Sequence, residues 1–305
     1  MGLIATPYSP TPMNIAMHEL GIVAVLVVYE RPLDVVEAWP TLLAALVSSG
    51  REGLQLRQII IYDNSPEPRA KPVADITGCT YVHDRNNGGT AAAYTRAAAI
   101  AADSGIDWLL LLDQDTQLSP EYFPALALAL APATNSATTP GALVPWVYHG
   151  LAPISPARLT WAGTIAPLQR NAQLRFFRDL TAIASGSVLH VPSFLELMPL
   201  PKSLWLDYVD HWIFRRLQMR CRPVLIVNQV LQHDLSVANP SQLSRRRLLS
   251  ILEGEAQFQK LLGIGANIFY PIRLAARVIR YLCIKPRLAI YTLAWAFKRA
   301  SSVEL

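Results

Sequence analysis

At 305 residues, with 52% hydrophobic and 16% charged residues, the chain can bury a full core and is apolar for a soluble protein, which suggests surface contact with a membrane or a partner. Its formal net charge of +5 fits an anionic partner; on charge alone nucleic acid, a phospholipid surface and a nucleotide all remain open. Three widely spaced cysteines, Cys79, Cys221 and Cys283, exclude a thiol metal cluster and a disulfide framework, and read as isolated buried thiols in a reducing compartment.

Residues 1–20, with Pro7, Pro10 and Pro12, read as a loosely ordered leader lacking the basic and apolar regions of a secretion signal. From residue 21 the pattern changes. Residues 22–29 (IVAVLVVY) form a continuous β-branched run, the mark of a strand buried on both faces. A helix is expected over 40–49 and a second buried strand over 58–62, ending at the turn signal Asp63-Asn64-Ser65-Pro66. A short strand at 80–83 is followed by a loop, 86–89, that opens an alanine-rich helix at 90–102. The run 108–112 (WLLLL) is a fourth strand ending directly on Asp113. Strands alternating with helices imply an α/β domain with a Rossmann-like, mainly parallel sheet flanked by helices. Residues 130–200 read as irregular strands and loops, 204–219 as an acidic and aromatic cluster entering a helix, and 221–231 as a strand before His233-Asp234. From about 241 the chain reads as helical. No apolar run reaches the roughly 18 residues needed to span a bilayer.

Ligands of parallel α/β sheets bind at the carboxyl ends of the strands. Glu30, Asp63-Asn64 and Asp113-Gln114-Asp115 all fall at those ends. A D-x-D triplet alone reads first as solvated turn chemistry. At the tip of a buried strand two carboxylates need either water or a hard divalent ion, which oxygen ligands suit and which can bridge them to a diphosphate. Asn86–Gly89 lacks the Lys-Ser/Thr of a phosphate-cradling loop, and its glycine spacing is no dinucleotide fingerprint.

The ordered series Val27-Val28-Tyr29, Ile61-Tyr62-Asp63-Asn64-Ser65, Asn86-Asn87-Gly88-Gly89-Thr90 and Leu111-Leu112-Asp113-Gln114-Asp115 resembles family 2 glycosyltransferases. Within them it is most similar to the rhamnosyltransferase-like branch. Ser185-Gly186-Ser187, residues 206–211 (LDYVDH) and residues 231–234 (LQHD) follow in the same order, so the resemblance covers about 21–236. It implies a GT-A fold, with a donor half over about 21–130 and an acceptor half over about 131–240. It also implies a nucleotide-diphosphate sugar donor, dTDP-rhamnose in that branch, a divalent cation (Mg or Mn) and inversion at the anomeric carbon. The acceptor implied is a glycan or lipid-linked molecule of cell-surface polysaccharide or glycolipid synthesis.

Carried over position by position, the donor would meet Tyr29, Asp63 (at the base or ribose), Asn87, Gly88, Asp113 and Gln114. Asp113, Asp115 and His233 would hold the metal; for His233 a plain hydrogen-bonded surface histidine stays open. A general base must take the proton of the acceptor hydroxyl. Asp210 aligns with that role and Asp207, three residues earlier, with its support, although either carboxylate would also serve as a cap for a helix starting near His211. Departures from the branch are Glu30-Arg31-Pro32, Trp212 in place of an acid, and Ser244-Arg245-Arg246-Arg247-Leu248. They leave open another nucleotide sugar on the same scaffold, or a catalytically degenerate sugar-nucleotide-binding scaffold protein.

Residues 241–305 form a basic, helical appendage. Between Ala256 and Val303 there is no acidic residue, while Arg273, Arg277 and Arg280 recur on one helical face and Trp295 stands in an aromatic run. This pattern suits a helix lying on an anionic membrane surface, with these four residues at the interface, while a helix packed on the catalytic domain with its arginines in water stays open. The expected location is cytoplasmic, peripheral on the inner face of a bacterial cell membrane. Nucleic acid is set aside, because the cations cluster in an apolar tail and no recognition motif accompanies them. Oligomeric state stays open.

Overall fold

The computed structural model describes residues 20–47, 53–69, 76–134, 139–170, 179–233 and 243–301. The leader expected over 1–20, apart from Leu20, and Asp234 lie outside the described residues. In chain order the strands are β1 (Leu20–Val28), β2 (Leu54–Asp63), β3 (Cys79–His83), β4 (Trp108–Asp113), β5 (Thr116–Gln117), β6 (Ala142–His149), β7 (Ala152–Ser155), β8 (Ala157–Leu159), β9 (Ile165–Pro167), β10 (Leu180–Thr181), β11 (Ser187–His190) and β12 (Val224–His233). The helices are α1 (Ala38–Val47), α2 (Gly89–Asp103), α3 (Tyr122–Thr134), α4 (Val191–Leu195), α5 (Val209–Met219), α6 (Arg245–Gln259), α7 (Ile264–Ile284) and α8 (Pro286–Ser301).

The β-branched and leucine runs of β1, β2 and β4 are buried on both faces because helices cover both sides of the sheet. The strand order is β3-β2-β1-β4-β11-β6-β12-β5, with β7 beside β6. β3, β2, β1 and β4 are mutually parallel, as expected from the first half of the chain. The second half is mixed. β11 runs antiparallel to both β4 and β6, β12 is parallel to β6, and β5 pairs antiparallel with β12. One face packs on α2 through Ala93, Tyr94, Ala97, Ala98 and Ala101; small side chains let that helix lie close. The other packs on α1 and α3 through Leu42, Tyr122, Leu126 and Leu130. α3 has no counterpart among the predicted elements.

The appendage has a core of its own: Leu248, Leu252 and Ala256 of α6 meet Tyr281 of α7 and Leu288, Ala289 and Trp295 of α8. Two glycines mark where it is seated closely on the rest of the molecule. Gly254 of α6 lies so close to the 207–208 backbone that a β-carbon there would be 2.4 Å from the Asp207 carbonyl oxygen. Gly265 of α7 packs on Trp161, whose ring also meets Phe269 edge-on with centroids 5.6 Å apart. Of the cysteines expected to be buried, Cys221 and Cys283 are exposed and only Cys79 is partly covered. Among the described residues no helix is long and apolar enough to cross a membrane.

Candidate active site

A cleft of about 1090 Å³ opens over the carboxyl ends of β1 and β4 and is closed on its far side by α6 and α7. Asp113, Gln114 and Asp115 sit in the turn between β4 and β5. That two-residue strand decides the geometry: pairing with β12 sets His233 opposite Thr116, which brings the imidazole back to the triplet from 118 residues along the chain. His233 Nδ1 lies 3.4 Å from Asp115 Oδ1. Ser185 Oγ donates to Asp113 Oδ2 at 3.0 Å and lies 3.1 Å from His233 Nδ1. Asp113, Asp115 and His233 each offer one ligand atom, all within 4.8 Å of one another, a set that could hold a metal ion. Two carboxylates with one imidazole are hard and borderline donors that suit a divalent cation.

Burial, reinforced by the neighbouring charge of Asp115, pushes the Asp113 carboxyl up to about 6, against the pull of His233 and the Ser185 hydroxyl. Beneath the group lies Tyr94, buried on α2. Its hydroxyl is driven far up, first by burial and then by the charges of Asp113, Asp210 and Asp115. Three carboxylates around one phenol mark the negative pole of the cleft.

Another side of the cleft is built from the 207–211 segment. Tyr208 takes a left-handed conformation (φ 64°) that turns the chain into α5 and sets Asp210 in its first turn. The Asp210 carboxylate accepts from the Ala184 N–H at 3.2 Å and the His211 N–H at 2.7 Å, so two backbone donors orient it. Asp207 also lines the cleft, but Arg247 of α6 engages it at 2.9 Å. Burial pushes the Asp207 carboxyl up while that guanidinium pulls it back. Trp212, where an acid was expected, is buried in the core on the opposite side of α5 and takes nothing from the cleft.

The other expected donor-side positions are placed as follows. Asp63 is fully buried and does not line the cleft. Its oxygens accept from Ser65 N at 2.9 Å, Arg69 N at 2.8 Å and Tyr81 Oη at 2.7 Å. Burial alone would raise its carboxyl; these hydrogen bonds hold it below the usual range. Asp63 therefore shapes the loop, and its neighbour Asn64 reaches the cleft while accepting from Gly89 N. Gly88 is turned away too: its N–H donates to Asp84 Oδ2 at 2.9 Å, and a β-carbon would lie 2.6 Å from that oxygen. Asn87, at φ 52°, does line the cleft, and its carbonyl accepts from the Trp205 indole. Tyr29 and Gln114 line it as well, tied together by Tyr29 N donating to Gln114 Oε1 at 2.8 Å.

The four residues expected at a membrane surface have these surroundings. Arg277 forms a 2.5 Å ion pair with Glu255, and Arg273 donates to Gln259 Oε1 at 2.7 Å and to the Ala162 carbonyl. Trp295 is buried, its indole donating to Glu253 at 2.7 Å. Arg280 is exposed, but at the mouth of the cleft. At 100° per residue the three arginines do share one face of α7, and that face looks into the molecule. Ser185, Tyr94, Asn64 and Trp205 were given no role by the sequence. Ser185 and Asn64 left a signal there, in the Ser185-Gly186-Ser187 and Asp63-Asn64-Ser65 motifs.

Residues 24–142 match the family profile described as Glycosyl transferase family 2. No curated protein sequence matches the chain. Among solved structures, GalNAc-T7 with UDP, GalNAc and Mn2+ superposes with a TM-score of 0.51 at 13% identity, over 79% of this chain and 48% of that one. S. aureus TarS is also similar, at 12% identity over 81% of this chain and 43% of that one, TM-score 0.47. TarS residues 1–349 in complex with UDP-GlcNAc give 11% identity over 81% and 72%, TM-score 0.47. The chain thus spans about half the length of the first two. The superposition shows the fold, a GT-A-type mixed α/β sheet flanked by helices, and the profile match lies over its first half.

Proposed function

We propose that the protein transfers a sugar from a nucleotide-diphosphate donor to an acceptor hydroxyl, with inversion at the anomeric carbon. The observation that carries this reading is the convergence of Asp113, Asp115 and His233 at one end of the cleft that Asp210 also lines. Tyr29, Asn64, Asn87 and Gln114 frame the donor side. Magnesium or manganese, when held by Asp113, Asp115 and His233, supplies positive charge beside the diphosphate. Asp210 takes the proton of the acceptor hydroxyl; the oxygen bonds to the anomeric carbon as that carbon's bond to the diphosphate oxygen breaks, and the nucleoside diphosphate leaves. Asp207, paired with Arg247, serves as support rather than base. The motif resemblance favours dTDP-rhamnose as donor, and a glycan or lipid-linked acceptor.

The membrane surface enters through a different face from the arginines. Ile264, Ile268, Ile272, Ile279 and Leu282 of α7 are between 53% and 80% exposed. At 100° per residue they fall within an arc of about 80°. Phe297 of α8 is 72% exposed. With no acid between 256 and 303, this apolar face and its flanking cations match an anionic bilayer at the cytoplasmic surface.

A thermal-shift panel of nucleoside-diphosphate sugars with magnesium or manganese tests the reading. A ligand that binds only the folded state at about 100 times its Kd adds about 2.7 kcal/mol, a rise of a few degrees, and chelation should abolish it. Asp210→Asn should keep that shift and lose about 10²–10⁴-fold in turnover. Retained turnover would move the base to Asp207. The absence of any metal-dependent nucleotide shift would sink the reading.

A further inference from the structure

The far wall of the cleft, formed by α6 and α7, carries Arg246, Arg247, Arg277 and Arg280. Their charges are unequally spent. Asp207 takes Arg247 at 2.9 Å and Glu255 takes Arg277 at 2.5 Å. Among the described residues Arg246 and Arg280 have no carboxylate partner. Arg246 is nonetheless positioned: its guanidinium carbon lies 4.4 Å from the centroid of the Trp205 ring, and that indole is tied to the Asn87 carbonyl. A guanidinium stacked on an aromatic face keeps its N–H edge free for a planar or tetrahedral anion. Arg280 stands at the same mouth from α7.

The donor does not need this wall. On the sugar-transfer reading its diphosphate charge is met by the cation site built on β4, β5 and β12. The two unspent arginines come from the appendage and line the same cleft as Asp210, the base that an acceptor hydroxyl must approach. We infer that the wall is an anion-recognition site for the acceptor, which therefore carries a phosphate or a carboxylate bound by Arg246 and Arg280. The inference rests on the sugar-transfer reading for the word acceptor, and on α6 and α7 alone for the anion site. It also gives α7 two jobs on opposite faces. Its isoleucine arc would meet lipid and its arginine face the cleft, the arrangement that an anionic head group on a lipid tail requires.

The test is calorimetric titration of the intact chain in EDTA and low salt, where the uncompensated acidic pole repels anions and binding reports the arginine wall. The probes are farnesyl diphosphate, farnesol, glucuronic acid and glucose. Wild type should bind an anionic probe at least about tenfold more tightly than its neutral counterpart, as charge-assisted hydrogen bonds require. Farnesyl diphosphate winning assigns a phosphate, glucuronate winning a carboxylate. Arg246→Gln with Arg280→Gln should weaken anion binding about tenfold or more, and Arg246→Lys with Arg280→Lys should recover part of it. Binding of UDP or dTDP with Mn2+ should stay within about twofold in both double variants. Equal binding of charged and neutral probes, or anion binding indifferent to the glutamine pair, overturns the inference. A parallel loss of nucleotide affinity overturns it too, since the wall would then serve the donor. Failure of any nucleotide to bind wild type strikes the sugar-transfer reading instead, and leaves the anion titration legible.

Discussion

At Asp113 burial and function pull in opposite directions. Its carboxyl, pushed up to about 6 by burial and by Asp115, is ionised at neutral pH only at a cost to the empty fold. The sign follows from linkage: a carboxyl with a raised folded-state value contributes stability below its ordinary value of about 4, and loses it as pH rises through about 6. Asp113→Asn should therefore leave the metal-free protein as stable as wild type near pH 4 and more stable above pH 6. The gain is on the order of 1–3 kcal/mol. The same substitution should abolish stabilisation by manganese. Thermal melts in EDTA and in manganese across pH 4–8 check both, and a variant less stable than wild type at pH 7 in EDTA would refute the account. The triplet itself was legible in the sequence because a carboxylate pair stood at the tip of a leucine run. The partners that define it were not. Ser185 arrives from the turn before β11, where Gly186 at φ 73° donates its N–H to the Leu111 carbonyl at 2.8 Å. Nothing local forecasts a contact made across 72 residues. The surroundings of Asp63 were equally illegible: a polar residue at a strand end reads as ligand-facing, and nothing local forecasts that loop amides and Tyr81 take up its oxygens.

Among the elements, those built on local patterns were the ones the sequence disclosed. β1, β2 and β4 are continuous apolar runs and α2 an alanine-rich segment opened by Gly88-Gly89; periodicity finds such pieces because each satisfies its own backbone and buries its own face. The short strands were opaque, since β5 has two residues, β10 two and β11 four, and pairing partners set their extent. α6 holds the element-scale test. Glycine in a helix interior ordinarily costs about 0.5–1 kcal/mol relative to alanine, so Gly254→Ala would stabilise an isolated α6. Here the added methyl would lie 2.4 Å from the Asp207 carbonyl oxygen and 3.3 Å from the Tyr208 β-carbon. Backbone cannot yield as a flexible side chain can. The overpacking term of about 1–3 kcal/mol should win and push α6 off the segment that leads into Asp210. We expect a lower Tm and a lower kcat with little change in nucleotide binding. A stabilised, fully active Gly254→Ala would mean that α6 does not support the catalytic segment.

For the molecule as a whole, the apolar composition acquires a location. The arginines that marked the tail as basic turn inward to Glu255, Gln259 and the cleft, and the side of α7 they vacate is an arc of exposed isoleucines. Helical periodicity identified the two faces of α7 but could not say which of them the body of the protein would cover. That choice was made by Gly265 against Trp161 and by the Arg277–Glu255 pair. If the outer arc meets a bilayer, Ile272→Gln, Ile279→Gln and Leu282→Gln together should release the chain from vesicles. These side chains are 58%, 64% and 53% exposed, so each has roughly 1 kcal/mol of burial still to gain. Three such losses amount to about 3 kcal/mol, or roughly a hundredfold in partition. Co-sedimentation with phosphatidylglycerol vesicles should show that loss, and phosphatidylcholine vesicles should bind even wild type more weakly, because the exposed cations flanking the arc contribute only against anionic lipid. Tm and metal-dependent nucleotide binding should be unchanged, since the substituted side chains already face outward. Wild type that ignores anionic vesicles, or a triple variant that binds them as well as wild type, would remove the membrane from the picture. Dissociation of a dimer by the same substitutions would assign the arc to a second copy of the chain.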